Sequence, residues 1–431
     1  MSRKGEVVGA VDFGSREVRV LIARRAGDGA IQIIGHGSAP SRGCVSQGVI
    51  QDMSAAQMAL KRALGDAEKE AGVRVPALFC GINGKNVETC VREGSVKLDK
   101  GAVELAHLEE ALETAARDAF TVGKRPISSV TSQEWYVDDL RVSDPLNIRG
   151  NVLKVRVHFA LLPSLIEDNL LNCIESQNRE LEDVVFLPLA AGLGCLTPED
   201  IDLGVAVLDM GRSTTSLAVY RERRILATQC FDWGGFHVTR DVSAGLQISF
   251  EEATELIALY GQSARMIKME ASKEEGLEAH CEPEESDRDA SIKLKSAVRG
   301  APNIVPRSEL DMIVFERSKE LLAKVKQHMN ARGLMKHVVR GFVLTGGTAT
   351  MKNQAALAEV VFQAPARVGL PVGIDVLPQP VNTPEWVPIV GVIRHGFAFR
   401  DALRSGRIPV SRGLLSRIVR MLAALIRRYF F

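Results

Sequence analysis

Two stretches of this chain repeat one design 197 positions apart. Val7-Val-Gly-Ala-Val-Asp12-Phe-Gly14-Ser15-Arg16-Glu-Val-Arg-Val-Leu-Ile-Ala23 is an apolar run that ends in Asp-x-Gly, passes through a polar turn and resumes as a second apolar run. Val205-Ala-Val-Leu-Asp209-Met-Gly211-Arg212-Ser213-Thr214-Thr215-Ser-Leu-Ala-Val-Tyr220 does the same. Short β-branched runs split by a glycine turn read as paired strands. The same order at two places implies an internal duplication. Length agrees with that reading, because 431 residues exceed what one hydrophobic core serves and at least two lobes are expected.

A strand that ends in Asp-x-Gly offers two kinds of chemistry. The glycine and the small hydroxyl residues after it let backbone N–H groups approach an anion closely, which makes a cradle for phosphate. The aspartate at the strand end can hold Mg2+ or its water shell, or orient an attacking water. Two such hairpins facing each other would grip a polyphosphate from both sides. Asp12 and Asp209 are therefore the candidate catalytic and Mg2+-holding residues. A third strand-to-glycine turn, Phe342-Val-Leu-Thr-Gly346-Gly347-Thr348-Ala349, lies downstream, and no Walker-type G-x-x-x-x-G-K-[ST] occurs.

Periodicity places the rest. Strands are expected at Val7–Val11, Val18–Ala23, Ile31–His36 and Ala77–Ile82, with a helix over Ala55–Ala71 stopped by Gly72. Residues 86–163 read as a self-contained block: strand Val87–Leu98, a helix near Val103–Ala119, then extended runs at Val130–Val137 and Val152–Leu162. That order predicts a small α+β subdomain. A helix at Ser164–Gln177 and a strand at Val184–Leu187 return to the first lobe, and helices at Ser249–Tyr260 and Arg307–Arg332 belong to the second. The expected division is 1–85 and 164–200 for the first lobe, 86–163 for the insertion, 201–400 for the second lobe, 401–411 for a linker and 412–431 for a terminal helix.

The charge balance, 54 Lys+Arg against 53 Asp+Glu, gives no global reason to expect nucleic acid as a partner. It is unevenly spread. Residues 402–431 hold seven arginines and no acid, whereas residues 270–289 hold nine acids against two basic residues and read as a solvated loop. At about 100° per residue, Leu414, Leu415, Ile418, Leu422, Leu425, Ile426 and Phe430 share one half of a helix. Arg417, Arg420, Arg427 and Arg428 share the other. An apolar face backed by an all-basic one is the signature of a helix lying in an anionic membrane surface. Neither a signal-peptide core nor an apolar run of spanning length is found, so the chain is expected to stay on the cytoplasmic side. The seven scattered cysteines, without any C-x-x-C pair, read as reduced, packed thiols.

Asp12-Phe-Gly14-Ser15 resembles the first phosphate motif of the actin, sugar-kinase and heat-shock-chaperone ATPase superfamily. Asp209-Met-Gly211-Arg212-Ser213-Thr214-Thr215 resembles its second, and Leu344-Thr-Gly346-Gly347-Thr348-Ala349 its adenosine motif. The match narrows to the FtsA family of bacterial division proteins through Gly35–Ile50, Gly81-Ile-Asn-Gly84, Leu187-Pro-Leu-Ala-Ala191, Trp233-Gly234-Gly235-Phe-His-Val-Thr239-Arg-Asp241 and Glu251-Glu252-Ala-Thr-Glu255-Leu-Ile-Ala-Leu-Tyr-Gly261. The second phosphate loop, usually glycine-rich, carries Arg212 and Ser213 here.

The resemblance implies an α/β, actin-like two-lobed ATPase fold, built from duplicated ribonuclease-H-like domains with a small inserted subdomain. ATP and Mg2+ would sit between the lobes on Asp12, Gly14, Ser15, Arg16, Asp209, Gly211, Arg212, Ser213, Thr214, Thr215, Gly234, Gly235, Gly346, Gly347 and Thr348. Glu252 and Glu255 would lie on the adenosine side. Turnover would be slow at most. The implied partners are the tubulin-like protein FtsZ, further copies of the chain as a filament, other division proteins, and anionic lipids at the inner face of the cytoplasmic membrane. The alternatives are a PilM-like adaptor of pilus assembly and a sugar or small-acid kinase.

Overall fold

A computed structural model of the chain describes residues 5–119, 122–142, 144–261, 291–296 and 303–404. The acidic stretch 270–289, residues 405–411 of the expected linker and the expected terminal helix 412–431 lie outside the described residues; residues 401–404, expected in the linker, instead continue the helix Val387–Arg404.

The duplication is built into the backbone. Glu6–Phe13 pairs antiparallel with Glu17–Arg25, which pairs antiparallel with Ile31–Pro40; on its other side Glu6–Phe13 runs parallel to Ala77–Ile82, and that strand parallel to Glu180–Phe186. A second sheet repeats this order and these directions with Arg224–Phe231, Thr215–Arg221, Val205–Met210, Phe342–Thr345 and Ala366–Val368. Strands bordered on both faces by other layers are largely apolar, and in Val205–Met210 every residue is buried, Asp209 being the one charged side chain among them. The two turns match as well: Gly14 N donates to Glu17 O at 3.1 Å, and Gly211 N to Thr214 O at 2.9 Å.

Helix Met53–Ala71 starts where the Asp52 side chain accepts from Ala55 N at 3.0 Å and stops at Gly72, whose backbone is left-handed. It lays Ala56, Leu60, Ala63 and Ala67 on the first sheet. The expected helix here and those near 103–119, 164–177, 249–260 and 307–332 all form, with ends shifted by a few residues at most.

Between the second-to-last and last strands of the first sheet, Ala77–Ile82 and Glu180–Phe186, sits a separate antiparallel sheet, ordered Glu88–Lys97, Val152–Pro163, Lys124–Val137 and Leu140–Val142, with helix Leu105–Ala119 packed against it. The short strand Leu140–Val142 is an addition to the order read from sequence. This layer owns its core, including Trp135, Phe159, Leu112 and Leu153. It also leans on the second sheet, where His158 Nε2 and Thr228 Oγ1 lie 3.2 Å apart and Arg224 reaches Glu134 at 3.1 Å.

Two helices close the molecule. Leu187–Cys195 follows the last strand of the first sheet, and Val387–Arg404 follows the last strand of the second; they pack directly on each other. The division at 400 assigns the final helix to the second lobe, yet its Ile389, Val390, Ile393 and Phe397 are buried in the core of the first sheet with Val8, Ala10, Leu21 and Phe79. Its far end is held to that sheet by charge. Arg25 makes a two-pronged bond to Asp401 at 2.5 and 2.6 Å, Arg400 grips Glu182 at 2.5 and 2.7 Å, and Arg404 reaches Glu6.

Candidate functional site

The equivalent strands set Asp12 and Asp209 at equivalent places. Asp12 lies across from Arg19 on one neighbour and Gly81 on the other; Asp209 lies across from Ser216 and Thr345. Both aspartates face a cavity of about 390 Å³ between the two sheets. The first hairpin contributes Asp12, Gly14, Ser15 and Arg16 to its wall, and the second contributes Asp209, Gly211, Arg212, Ser213 and Thr214. The third turn adds Gly346, Gly347 and Thr348, and helix Phe250–Tyr260 adds Thr254, Ile257 and Ala258.

Close approach explains two glycines. Gly346 has φ +82, and a Cβ there would come within 2.5 Å of Asp209 Oδ1. Gly234 stands where a Cβ would meet Gly211 O at 2.4 Å, so a glycine lets helix Gly235–Gly245 dock its first turn on the second hairpin. There Gly235 N donates to Gly211 O at 3.0 Å, Phe236 N to Arg212 O at 2.7 Å, and Thr348 Oγ1 to Gly211 O at 3.0 Å. The second hairpin turn is thus fixed from outside.

Thirteen residues expected at the site line the cavity, the twelve given above and Gly235, and four do not. Thr215 is 2% exposed inside its strand. Gly234 serves the helix approach. Glu252 turns away, and its carboxylate accepts from Lys295 N at 2.5 Å and Ser296 N at 2.6 Å, which ties down those two residues. Glu255 is exposed and pairs with Lys295 at 3.5 Å.

The sequence reading passed over Arg19 and Glu385. Arg19, 9% exposed, lines the cavity and donates from Nη2 to Glu17 Oε2 at 2.9 Å and to Glu385 Oε2 at 2.6 Å. Its guanidinium lies 5.5 Å from the Trp386 ring centre. The bond to Glu385 joins residues 366 positions apart, with no local pattern to announce it.

This arginine partly offsets a large desolvation cost. Burial pushes the Asp12 carboxyl up to about 6 while Arg19 pulls it down. Burial, and then repulsion from Asp12, push Asp209 up to about 7, again opposed by Arg19. Two carboxylates that resist ionising alone are suited to a divalent cation or its water shell, whose charge reverses that cost. The donor set fits Mg2+: hard oxygens at two strand ends beside phosphate-sized backbone turns.

Comparison with known proteins adds the following. A model of the family described as Cell division protein FtsA matches residues 206–391. The Cell division protein FtsA of Neisseria meningitidis serogroup B is 30% identical over 396 residues, 91% of each chain. Among solved structures, a chain of the PilM-PilN type IV pilus biogenesis complex superposes with a TM-score of 0.59 at 16% identity, covering 90% of this chain and 98% of that one. MreB5 of Spiroplasma citri bound to AMPPNP gives 0.55 at 14% identity, covering 94% and 100%. The architecture is the two-lobed actin-like fold.

Proposed function

The chain belongs to the FtsA family of cell division proteins, and from that premise we propose that it is an ATP-binding adaptor that fastens FtsZ to the membrane. MgATP occupies the cavity between the lobes, on the two hairpin turns and Gly346–Thr348, with Asp12 and Asp209 holding the hydrated Mg2+. When bound, Mg2+ supplies charge neutralisation for the phosphates. Arg19 keeps both aspartates placed and ionisable. Residues 412–431 lie in the anionic inner face of the cytoplasmic membrane, the insertion at 86–163 joins copies into a filament, and the second lobe takes FtsZ. Hydrolysis is slow at most.

One observation carries the nucleotide part of this reading: three glycine turns, remote in sequence, converge on one cavity with two aspartates, Asp209 buried and Asp12 half-buried. A small-molecule kinase is less well supported. Its cavity needs a base to deprotonate an acceptor hydroxyl. The other acids on this wall, Glu17 and Glu385, are both tied to Arg19. No helix among the described residues is long and apolar enough to cross a membrane. Attachment therefore rests on the basic terminal segment.

The test is nucleotide and vesicle binding on one purified sample. The adaptor reading expects MgATP binding and co-sedimentation with vesicles containing anionic phospholipid, with sedimentation lost on deleting residues 412–431. Unchanged sedimentation after that deletion would sink the membrane part. Robust ATP consumption on a small-molecule acceptor would sink the adaptor reading altogether.

A further inference from the structure

Arg212 leaves the second hairpin with its backbone already fixed. Its carbonyl accepts from Phe236 N at 2.7 Å, and the preceding Gly211 O accepts from both Gly235 N and Thr348 Oγ1 at 3.0 Å. The guanidinium lies 5.3 Å from the ring centre of Phe250 and 5.9 Å from that of Phe236. Those two rings pack against each other at 5.2 Å. Aromatic faces hold a planar cation without neutralising it, so the charge stays available and little side-chain freedom remains to be lost.

Arg16 stands at the tip of the other hairpin, on the other lobe, and both arginines line the cavity. Among the described residues neither guanidinium has a carboxylate partner. Burial, and then Arg16, weaken the hold of Arg212 on its proton, as expected for two cations facing one another. Arginine does not shed that proton in proteins. Both arginines are exposed to solvent, which screens their repulsion, and an anion lodged between them would be held by both.

Resting on the reading of the cavity as a nucleotide cleft, we infer that Arg212 and Arg16 form a clamp across the lobes on the terminal phosphate of a nucleoside triphosphate. This clamp sets the preference for triphosphate over diphosphate, because only the longer chain reaches between the two hairpin tips. Planar guanidinium groups suit the task, since each can present two N–H donors to one phosphate. The clamp also makes lobe closure depend on the charge of what is bound.

Titration calorimetry of the full chain with MgATP, MgADP and magnesium tripolyphosphate tests this on wild type, R212A, R212K and R16A. R212A is expected to lose about tenfold or more in affinity for ATP and tripolyphosphate but less than about threefold for ADP, the scale of a charge-assisted bond. R212K recovers only part of the loss, and R16A repeats the R212A pattern. Equal losses for ATP and ADP in R212A would overturn the clamp, by putting Arg212 on the base or the inner phosphates. Tighter ATP binding in R212A would overturn it too, by showing that the side chain fills the space of the terminal phosphate. A wild type that binds ADP normally but ATP no better also refutes it. Absence of all nucleotide binding would instead refute the cleft reading, and the clamp with it.

Discussion

Replacing Asp209 by asparagine is expected to make the nucleotide-free protein more stable, although it removes a central site residue. Asp209 is 7% exposed. Burial and the nearby Asp12 move its carboxyl from the usual 3.8 to about 7. At ~1.4 kcal/mol per tenfold change in proton affinity, keeping it ionised at pH 8 costs the folded state about 4 kcal/mol. Asparagine keeps the shape and removes the charge, which also relieves Asp12. The sign follows from the raised value: between about pH 4 and 7 the folded state binds more protons than the unfolded one, so stability falls as pH rises through that window. The gain in D209N is therefore largest at pH 8 and shrinks toward pH 5. In a melting scan it corresponds to roughly 8–16 °C if the second lobe unfolds as a unit. Added MgATP should invert the order, because only the wild type offers both carboxylates to the cation. A D209N protein that melts at or below wild type without ligand, by a margin that does not change with pH, would refute this account of Asp209.

The remaining perturbations test neighbouring parts of the same argument. Affinity for MgATP should rise with pH between about 5.5 and 7.5, as protons leave Asp12 and Asp209, whose carboxyls are raised to about 6 and about 7; calorimetry in buffers of differing ionisation heat would register the released protons. Arg19→Gln should cost about 3 kcal/mol in urea unfolding, since it strands Glu385 and removes the cation facing both aspartates. Gly346→Ala combines a φ of +82 with a contact at 2.5 Å on Asp209 Oδ1, so it should abolish nucleotide binding in titration and destabilise by about 1–3 kcal/mol. Trp135→Ala should cost about 3–5 kcal/mol within the inserted layer. Because that layer has its own core, MgATP binding should survive while self-association, read by sedimentation, is lost.

How far the sequence reached depended on whether a feature was local. The two hairpins were legible because strand, turn and strand are contiguous, and their repetition needs only a comparison of the chain with itself. The third turn was legible for the same reason. Arg19 was not. It sits in Val18-Arg19-Val20-Leu21-Ile22, where a lone polar residue reads as the solvent side of a strand, and its partner Glu385 comes from the far end of the chain. Glu252 misled in the opposite way. A carboxylate on the helix beside the cavity looks like a ligand, yet Lys295 and Ser296, which claim it, carry no signal of where they return. Gly234 was legible as a glycine with a purpose, but the purpose is to admit a helix rather than to touch phosphate.

The final helix has a mechanical consequence. Val387–Arg404 spans 18 residues, about 27 Å at ~1.5 Å per residue. Pro388, in its first turn, is part of the cavity wall, and Glu385 just before it holds Arg19. Arg400, Asp401 and Arg404, in its last turns, are riveted to strands of the first sheet. The chain runs from this helix into its last 27 residues. That segment leaves from the end of one stiff helix, whose opposite end bears on the cavity that separates the lobes. A pull on the last turn would thus be borne by the first sheet, and would reach the cavity only through the helix that the two share.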